Sequence, residues 1–197
     1  MNDAVSDADA QDEQLLEMCR LLNEHGVHYL ICGGYACILH GNLRMTQDVD
    51  LLVEEDSGNY QRLITALSRF GDGSAAELTE EDIASNLVVK INDVITIDVS
   101  RRAWVVTYAE AAPNAREEII EGVRIPYLGL QDLIRSKQTY RDKDRLDIQL
   151  LLAKSPNLPL QGEQAPQPGK GCLQLGVMLG FGVGVVTWLA RISLVGM

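Results

Sequence analysis

Positive charge is scarce in this sequence: 17 Lys and Arg stand against 28 Asp and Glu, a net charge of −11. A general nucleic-acid binder presents a basic face. The balance argues against that class, while leaving room for one specific RNA partner. Aromatic residues are also few, at 5 %, although the apolar share of 46 % is ordinary for a globular protein. The four cysteines, Cys19, Cys32, Cys37 and Cys172, fit no zinc-ligand spacing, and three of them fall in apolar segments. They read as buried, reduced thiols of a cytoplasmic protein. The first ten residues are acidic and polar and lack the pattern of an export signal. There is no internal repeat. With 197 residues the chain is long enough for one domain with a real core.

Composition divides the chain into four parts. Residues 1–12 are small and acidic and are expected to be disordered. Residues 13–153 carry the alternation of apolar and polar residues that marks a folded domain. Residues 154–171 hold four of the six prolines together with Gly and Gln, a linker composition. Residues 172–197 form a hydrophobic tail in which Cys172 to Ala190 contains no charged residue. A bilayer core of about 30 Å needs roughly 20 such residues in a helix. The tail is therefore a candidate transmembrane helix, with Gly176, Gly180 and Gly184 at a spacing that favours close helix packing.

Within the domain, Glu13 to His25 shows a helical stripe of Leu15, Leu16, Cys19 and Leu22. Val27 to Cys32 reads as a strand, Gly34 to His40 as a two-turn helix, and Asp48 to Val53 as a central strand. Tyr60 to Phe70 is an amphipathic helix, and Thr79-Glu80-Glu81-Asp82 has the form of a capping box. Leu87 to Ile91 and Val94 to Val99 read as strands joined by Asn92-Asp93, a two-residue hairpin signal. A second hairpin is centred on Gly122. Gln131 to Thr139 and Lys143 to Leu152 are the last helices. The expected fold class is α+β (α/β), a small mixed β-sheet with flanking helices, followed by the hydrophobic tail.

Chemistry concentrates in the run from Gly33 to Val53. Strand side chains return to one face every second residue, so Asp48 and Asp50 share a face. Two carboxylates beside a buried strand repel each other and lose hydration, and a divalent cation removes both penalties. Gly33-Gly34 opens a helix, where free backbone N–H groups attract phosphate. Asp98, at the end of an apolar strand run, is the third candidate carboxylate; Asp93 falls in a turn. His40, at a helix C-terminus, reads as a packing or capping residue. Lys137 and Arg141 would be one turn apart if the helix Gln131 to Thr139 runs on past Thr139, facing either a triphosphate or solvent. Trp104 and Tyr108 read as core or rim residues.

These motifs together resemble the DNA polymerase beta-like nucleotidyltransferase superfamily. The likeness is to its small bacterial branch of minimal and abortive-infection-type toxin nucleotidyltransferases. The matching residues are Gly33-Gly34, Ala36, His40-Gly41, Arg44-Met45-Thr46, Asp48-Val49-Asp50, Asp98, and the run Lys137, Arg141, Lys143, Asp144, Asp147. Many members of the wider superfamily carry Ser after the first glycines. Here Tyr35 follows Gly34, as that branch often allows. The resemblance implies a nucleotidyltransferase fold and two Mg²⁺ ions held by Asp48, Asp50 and Asp98. It also implies nucleotide contacts from Gly33, Gly34, Arg44, Thr46 and Lys137. The reaction it implies is transfer of a nucleoside monophosphate from an NTP to a hydroxyl on RNA, protein or a small molecule, with release of pyrophosphate. The alternative is a catalytically silent NTP-binding module of a toxin–antitoxin-like pair, with an antitoxin-like partner. A protein whose main role lies in a membrane-associated tail is disfavoured, because it has no need of three acids. The expected location is the cytoplasm, with the tail as a candidate membrane tether.

Overall fold

Leu15, Leu16, Cys19 and Leu22 form the buried stripe of helix α1, Asp7–Glu24. The structure, a computed structural model, describes residues 7–42 and 44–154. Helix α1 begins before Glu13, within the segment whose composition suggested disorder. Gln11 accounts for the extension: its Nε2 donates to the carbonyls of Thr46 and Gln47 at 3.1 and 3.0 Å. That tertiary anchor leaves no trace in local composition.

Strand β1 (Tyr29–Ile31) leads into helix α2 (Gly33–Leu39), and β2 (Asp48–Val53) follows with the expected bounds. Helix α3 is Ser57–Leu67 and α4 is Glu80–Ser85. The α4 start is a true capping box, with Thr79 and Asp82 bonded reciprocally. Strands β3 (Val88–Asn92) and β4 (Thr96–Ser100) form the first hairpin. A small separate hairpin of β5 (Arg102–Ala103) and β6 (Val106–Thr107) precedes the single turn α5 (Tyr108–Ala111). Strands β7 (Arg116–Ile120) and β8 (Val123–Tyr127) turn on Glu121 and Gly122, both at positive φ. Positive φ at both central residues is what a tight hairpin turn of this hand requires. Helices α6 (Leu130–Ser136) and α7 (Asp142–Lys154) complete the described chain.

Six strands make a mixed sheet in the order β3-β4-β2-β1-β8-β7. Strands β2 and β4 run parallel, as do β1 and β8; the other pairs are antiparallel. Strand β2 is central because both of its faces find cover. Val49, Leu51 and Val53 pack with Ile97, Val99 and Ile125 against α1 and α3. Leu52, with Leu30 and Leu128, packs on the opposite face against α2, α6 and α7. Asp48 and Asp50 lie on that second face, ahead of Leu52. Cys19, Cys32 and Cys37 are buried free thiols, as expected. Burial pushes the Cys19 thiol up to about 12.

The turn between β3 and β4 differs from the two-residue form expected from Asn92-Asp93. Asn92 still pairs with Thr96, so Asp93, Val94 and Ile95 make the turn. The Asp93 carboxylate accepts from the backbone N–H of Asp72, Ser74 and Val94 at 2.7, 2.8 and 2.7 Å. Burial pushes its pKa up, but the three donors hold it below the ordinary value. Asp93→Ala is expected to lower stability by about 2 kcal/mol. A group with a depressed folded-state pKa stabilises above its unfolded pKa and loses that contribution as pH falls. The melting-temperature gap between parent and Asp93→Ala should therefore be full at neutral pH. It should close as the pH drops below about 4.

Residue 43 and the residues from 155 onward lie outside the described ones, and with them nearly all of the expected linker and the whole charge-free segment. Among the described residues no helix is long and apolar enough to cross a membrane.

Candidate active site

Parallel pairing of β2 with β4 sets Asp50 opposite Asp98, with Asp48 opposite Thr96. All three carboxylates project from one sheet face, since each is an even number of residues from the paired Asp50 and Asp98. Asp48 is exposed, while Asp50 and Asp98 are half-buried. Burial pushes the Asp50 carboxyl above its usual range; the Gly34 N–H opposes this, and Asp98 and Asp48 add to it. Burial is the largest cause, and the charges of Asp98 and, least, Asp48 act in the same direction against that of Lys137.

The glycine pair serves close approach. Gly33 has φ +59°, in the left-handed region, and a Cβ there would run into the Asp50 carboxylate. A Cβ on Gly34 would meet Thr46, with that residue's Cβ at 2.7 Å. The backbone at the start of α2 is thereby pressed against Asp50 on one side and Thr46 on the other. The Gly34 N–H bonds the Asp50 carboxylate. Thr46 Oγ1 donates to the Asp48 carbonyl at 3.4 Å.

The two cations assigned to this region by motif share one anchor. Arg44 Nη1 lies 2.6 Å from Asp147 Oδ2, and Lys137 Nζ lies 2.7 Å from the same oxygen. Lys137 is also 3.5 Å from Asp144 Oδ1. Its ammonium is buried: desolvation pulls the pKa down, but the Asp147 hydrogen bond and the nearby negative groups raise it overall. Arg141 Nε pairs with Asp144 at 2.7 Å, and the Thr139 hydroxyl bonds the same carboxylate. Helix α6 stops at Ser136, so Lys137 and Arg141 do not share a helix as the spacing suggested. His40 packs as expected. Its Nε2 donates to the Leu128 carbonyl at 2.8 Å and its ring meets Tyr127 edge-on.

Asp50, Asp98, Gly33 and Lys137 line a cavity of about 410 Å³. Trp104 and Tyr140 stand at its wall, edge to face with ring centroids 6.0 Å apart. Trp104 occupies the β5–β6 turn at φ 59°, a conformation bulky side chains rarely adopt. It is a rim residue, half exposed, as one of the two sequence expectations had it. A larger hollow of about 620 Å³, between Arg20, His28 and Arg124, contains none of the candidate acids.

Sequence reasoning missed Lys90. It lies on β3 directly opposite Asp98, and its Nζ is 2.7 Å from Asp98 Oδ1 and 3.8 Å from Asp48 Oδ2. The strand alternation of Val88, Lys90 and Asn92 puts it on the carboxylate face, and only the register of the hairpin could have revealed the pairing. Among the described residues no group of three or more His, Cys, Asp or Glu is arranged to hold a metal ion. The cation within the acid cluster is this ammonium.

The architecture is that of nucleotidyltransferases. Lincosamide antibiotic adenylyltransferase LnuA, with lincomycin bound, matches with a TM-score of 0.51 at 15% sequence identity, covering 73% of this chain and 98% of that one. ANT(2″)-Ia in complex with adenylyl-2″-tobramycin matches at 0.49 and 16% identity, over 73% and 88% of the two chains. An antigenic nucleotidyltransferase-like protein from Paracoccidioides brasiliensis matches at 0.48 and 16%, over 75% and 76%. No family model matches the sequence, and no curated protein does. At these identities the likeness is one of fold, and the fold is the one the Gly-Gly and Asp-x-Asp motifs led us to expect.

Proposed function

We propose that the chain is a nucleotidyltransferase that moves a nucleoside monophosphate from an NTP to a hydroxyl acceptor. One observation carries the reading: Asp50 and Asp98 face each other across paired strands, with Asp48 two residues away, in a nucleotidyltransferase fold and behind a glycine pair pressed against Asp50.

The donor types suit Mg²⁺, although the three acids are not gathered as a ligating group while Lys90 stands among them. The donors are carboxylate oxygens, the ligands that hard cation takes, and the cluster already attracts a cation, the Lys90 ammonium. Asp48 and Asp50 would hold the metal ions, and Asp98 would complete the second site. When bound, Mg²⁺ supplies charge neutralisation for the phosphates and a lowered pKa for the acceptor hydroxyl. Gly33, Gly34, Arg44, Thr46 and Lys137 are the residues proposed to meet the triphosphate, Arg44 and Lys137 from their common anchor on Asp147. The acceptor oxygen attacks the α phosphorus, and its proton passes to the Asp98 carboxylate. The bond from that phosphorus to the bridging oxygen breaks, and pyrophosphate leaves.

The test is incubation of the purified protein with each α-labelled NTP, Mg²⁺ and cell extract. Label should appear on a product, whose size distinguishes RNA, protein and small-molecule acceptors. Label that binds without ever being transferred would instead identify a silent NTP-binding module.

A further inference from the structure

The Lys90 ammonium stands between two of the carboxylates proposed to hold a divalent cation. It bridges carboxylates from two different strands, Asp98 on β4 and Asp48 on β2. An ordinary surface ion pair contributes little, and a lysine facing solvent on an outer strand needs no partner. Lys90 is on β3, the outermost strand on its side of the sheet, and its side chain is 48% exposed. A flexible four-carbon stem in that place can swing aside without disturbing the sheet. The other ammonium near the cluster, Lys137, is committed to Asp147 and Asp144. Lys90 is therefore the half-exposed cation placed directly on Asp98, while Arg102 and Arg141 stand along the cavity that Asp98 lines.

We propose that Lys90 is a built-in counter-ion that keeps divalent metal out of the carboxylate cluster until a nucleoside triphosphate arrives. The inference rests on the metal-binding reading above. Without nucleotide, the ammonium neutralises Asp98 and Asp48 and competes with metal for Asp98 Oδ1. A triphosphate brings several negative charges to the cavity that Asp98 lines, beside the Lys90 ammonium, and gives that ammonium a new partner. The carboxylates of Asp98 and Asp48, freed of their counter-ion, would then be open to hold metal. Metal and nucleotide affinities are thus coupled through one side chain, and by linkage the coupling is reciprocal.

The test measures Mn²⁺ binding by electron paramagnetic resonance, without nucleotide, in the parent, Lys90→Met and Lys90→Arg. Lys90→Met should bind Mn²⁺ about tenfold or more tightly than the parent, and Lys90→Arg, which keeps the charge, should stay near the parent. In EDTA, Lys90→Met should melt below the parent, because the acids lose their counter-ion, and added Mn²⁺ should raise its melting temperature more than it raises the parent's. Equal or weaker Mn²⁺ binding by Lys90→Met overturns the proposal. So does binding by Lys90→Met that persists when Asp98→Asn is added, since the metal would then lie elsewhere. If the parent binds no Mn²⁺ even with NTP present, the failure belongs to the metal-binding reading itself, and the counter-ion role falls with it.

Discussion

Asp48→Asn and Asp50→Asn are each expected to reduce nucleotidyl transfer by roughly a thousandfold, equivalent to about 4 kcal/mol of transition-state stabilisation. The substitutions keep side-chain shape and remove only charge. The protein should remain folded, for reasons visible at Asp50. Its carboxylate is disfavoured by burial and by the charges of Asp98 and Asp48, and supported by the Gly34 N–H. An asparagine oxygen can still accept from Gly34, while the repulsion disappears. Melting temperatures in EDTA should therefore match or slightly exceed the parent's. Transfer assays and melts on the same preparations decide the matter. Loss of several kilocalories of stability in both variants would make the acids structural instead of functional.

Much of this site is legible in the amino-acid sequence. Asp48 to Val53 is so consistently patterned that the strand, its central place and the shared face of its acids follow from period and burial alone. The Gly33-Gly34 pair, Asp98 and the capping box at Thr79 are legible for similar local reasons. What escapes a sequence reading depends on contacts distant along the chain. The two-residue turn suggested by Asn92-Asp93 would pair Ile91 with Val94 and so set Leu87 against Asp98. The observed turn uses Asp93 to bond Asp72 and Ser74, and the register moves so that Lys90 faces Asp98. Because strand faces alternate, an odd shift in register exchanges inward and outward residues. The counter-ion is hidden by that one turn. The β5–β6 hairpin is invisible because Trp104 sits where glycine usually signals such a turn. The early start of α1 depends on Gln11 reaching Thr46 and Gln47.

Lys137→Met should be the most destabilising of the site substitutions. The ammonium is buried between Asp144 and Asp147, and removing one partner of a buried ion pair leaves an uncompensated charge, at a cost of about 3–5 kcal/mol in comparable cases. The lower end, about 3 kcal/mol, applies here. Asp147 keeps Arg44 at 2.6 Å, and Asp144 keeps Arg141 at 2.7 Å. For a chain of this size the loss corresponds to a melting temperature lower by about 6–12 °C. Adding Asp147→Leu to Lys137→Met should cost less than the sum of the two single changes, because the groups share one network. The proposed nucleotide contact has a separate signature. If the proposed function holds, Mg²⁺ with NTP should stabilise the parent by mass action, by about 2.7 kcal/mol at a hundred times the dissociation constant, and the same ligand concentration should stabilise Lys137→Met less. A Lys137→Met protein that melts with the parent but fails to respond to NTP would make Lys137 a phosphate ligand without structural weight. One that melts low yet gains as much from NTP would make it a pure anchor of α6 to α7. The network of Arg44, Lys137, Asp144 and Asp147 predicts that both the melt and the nucleotide response decline, since the side chain that holds the helices together also lines the cavity.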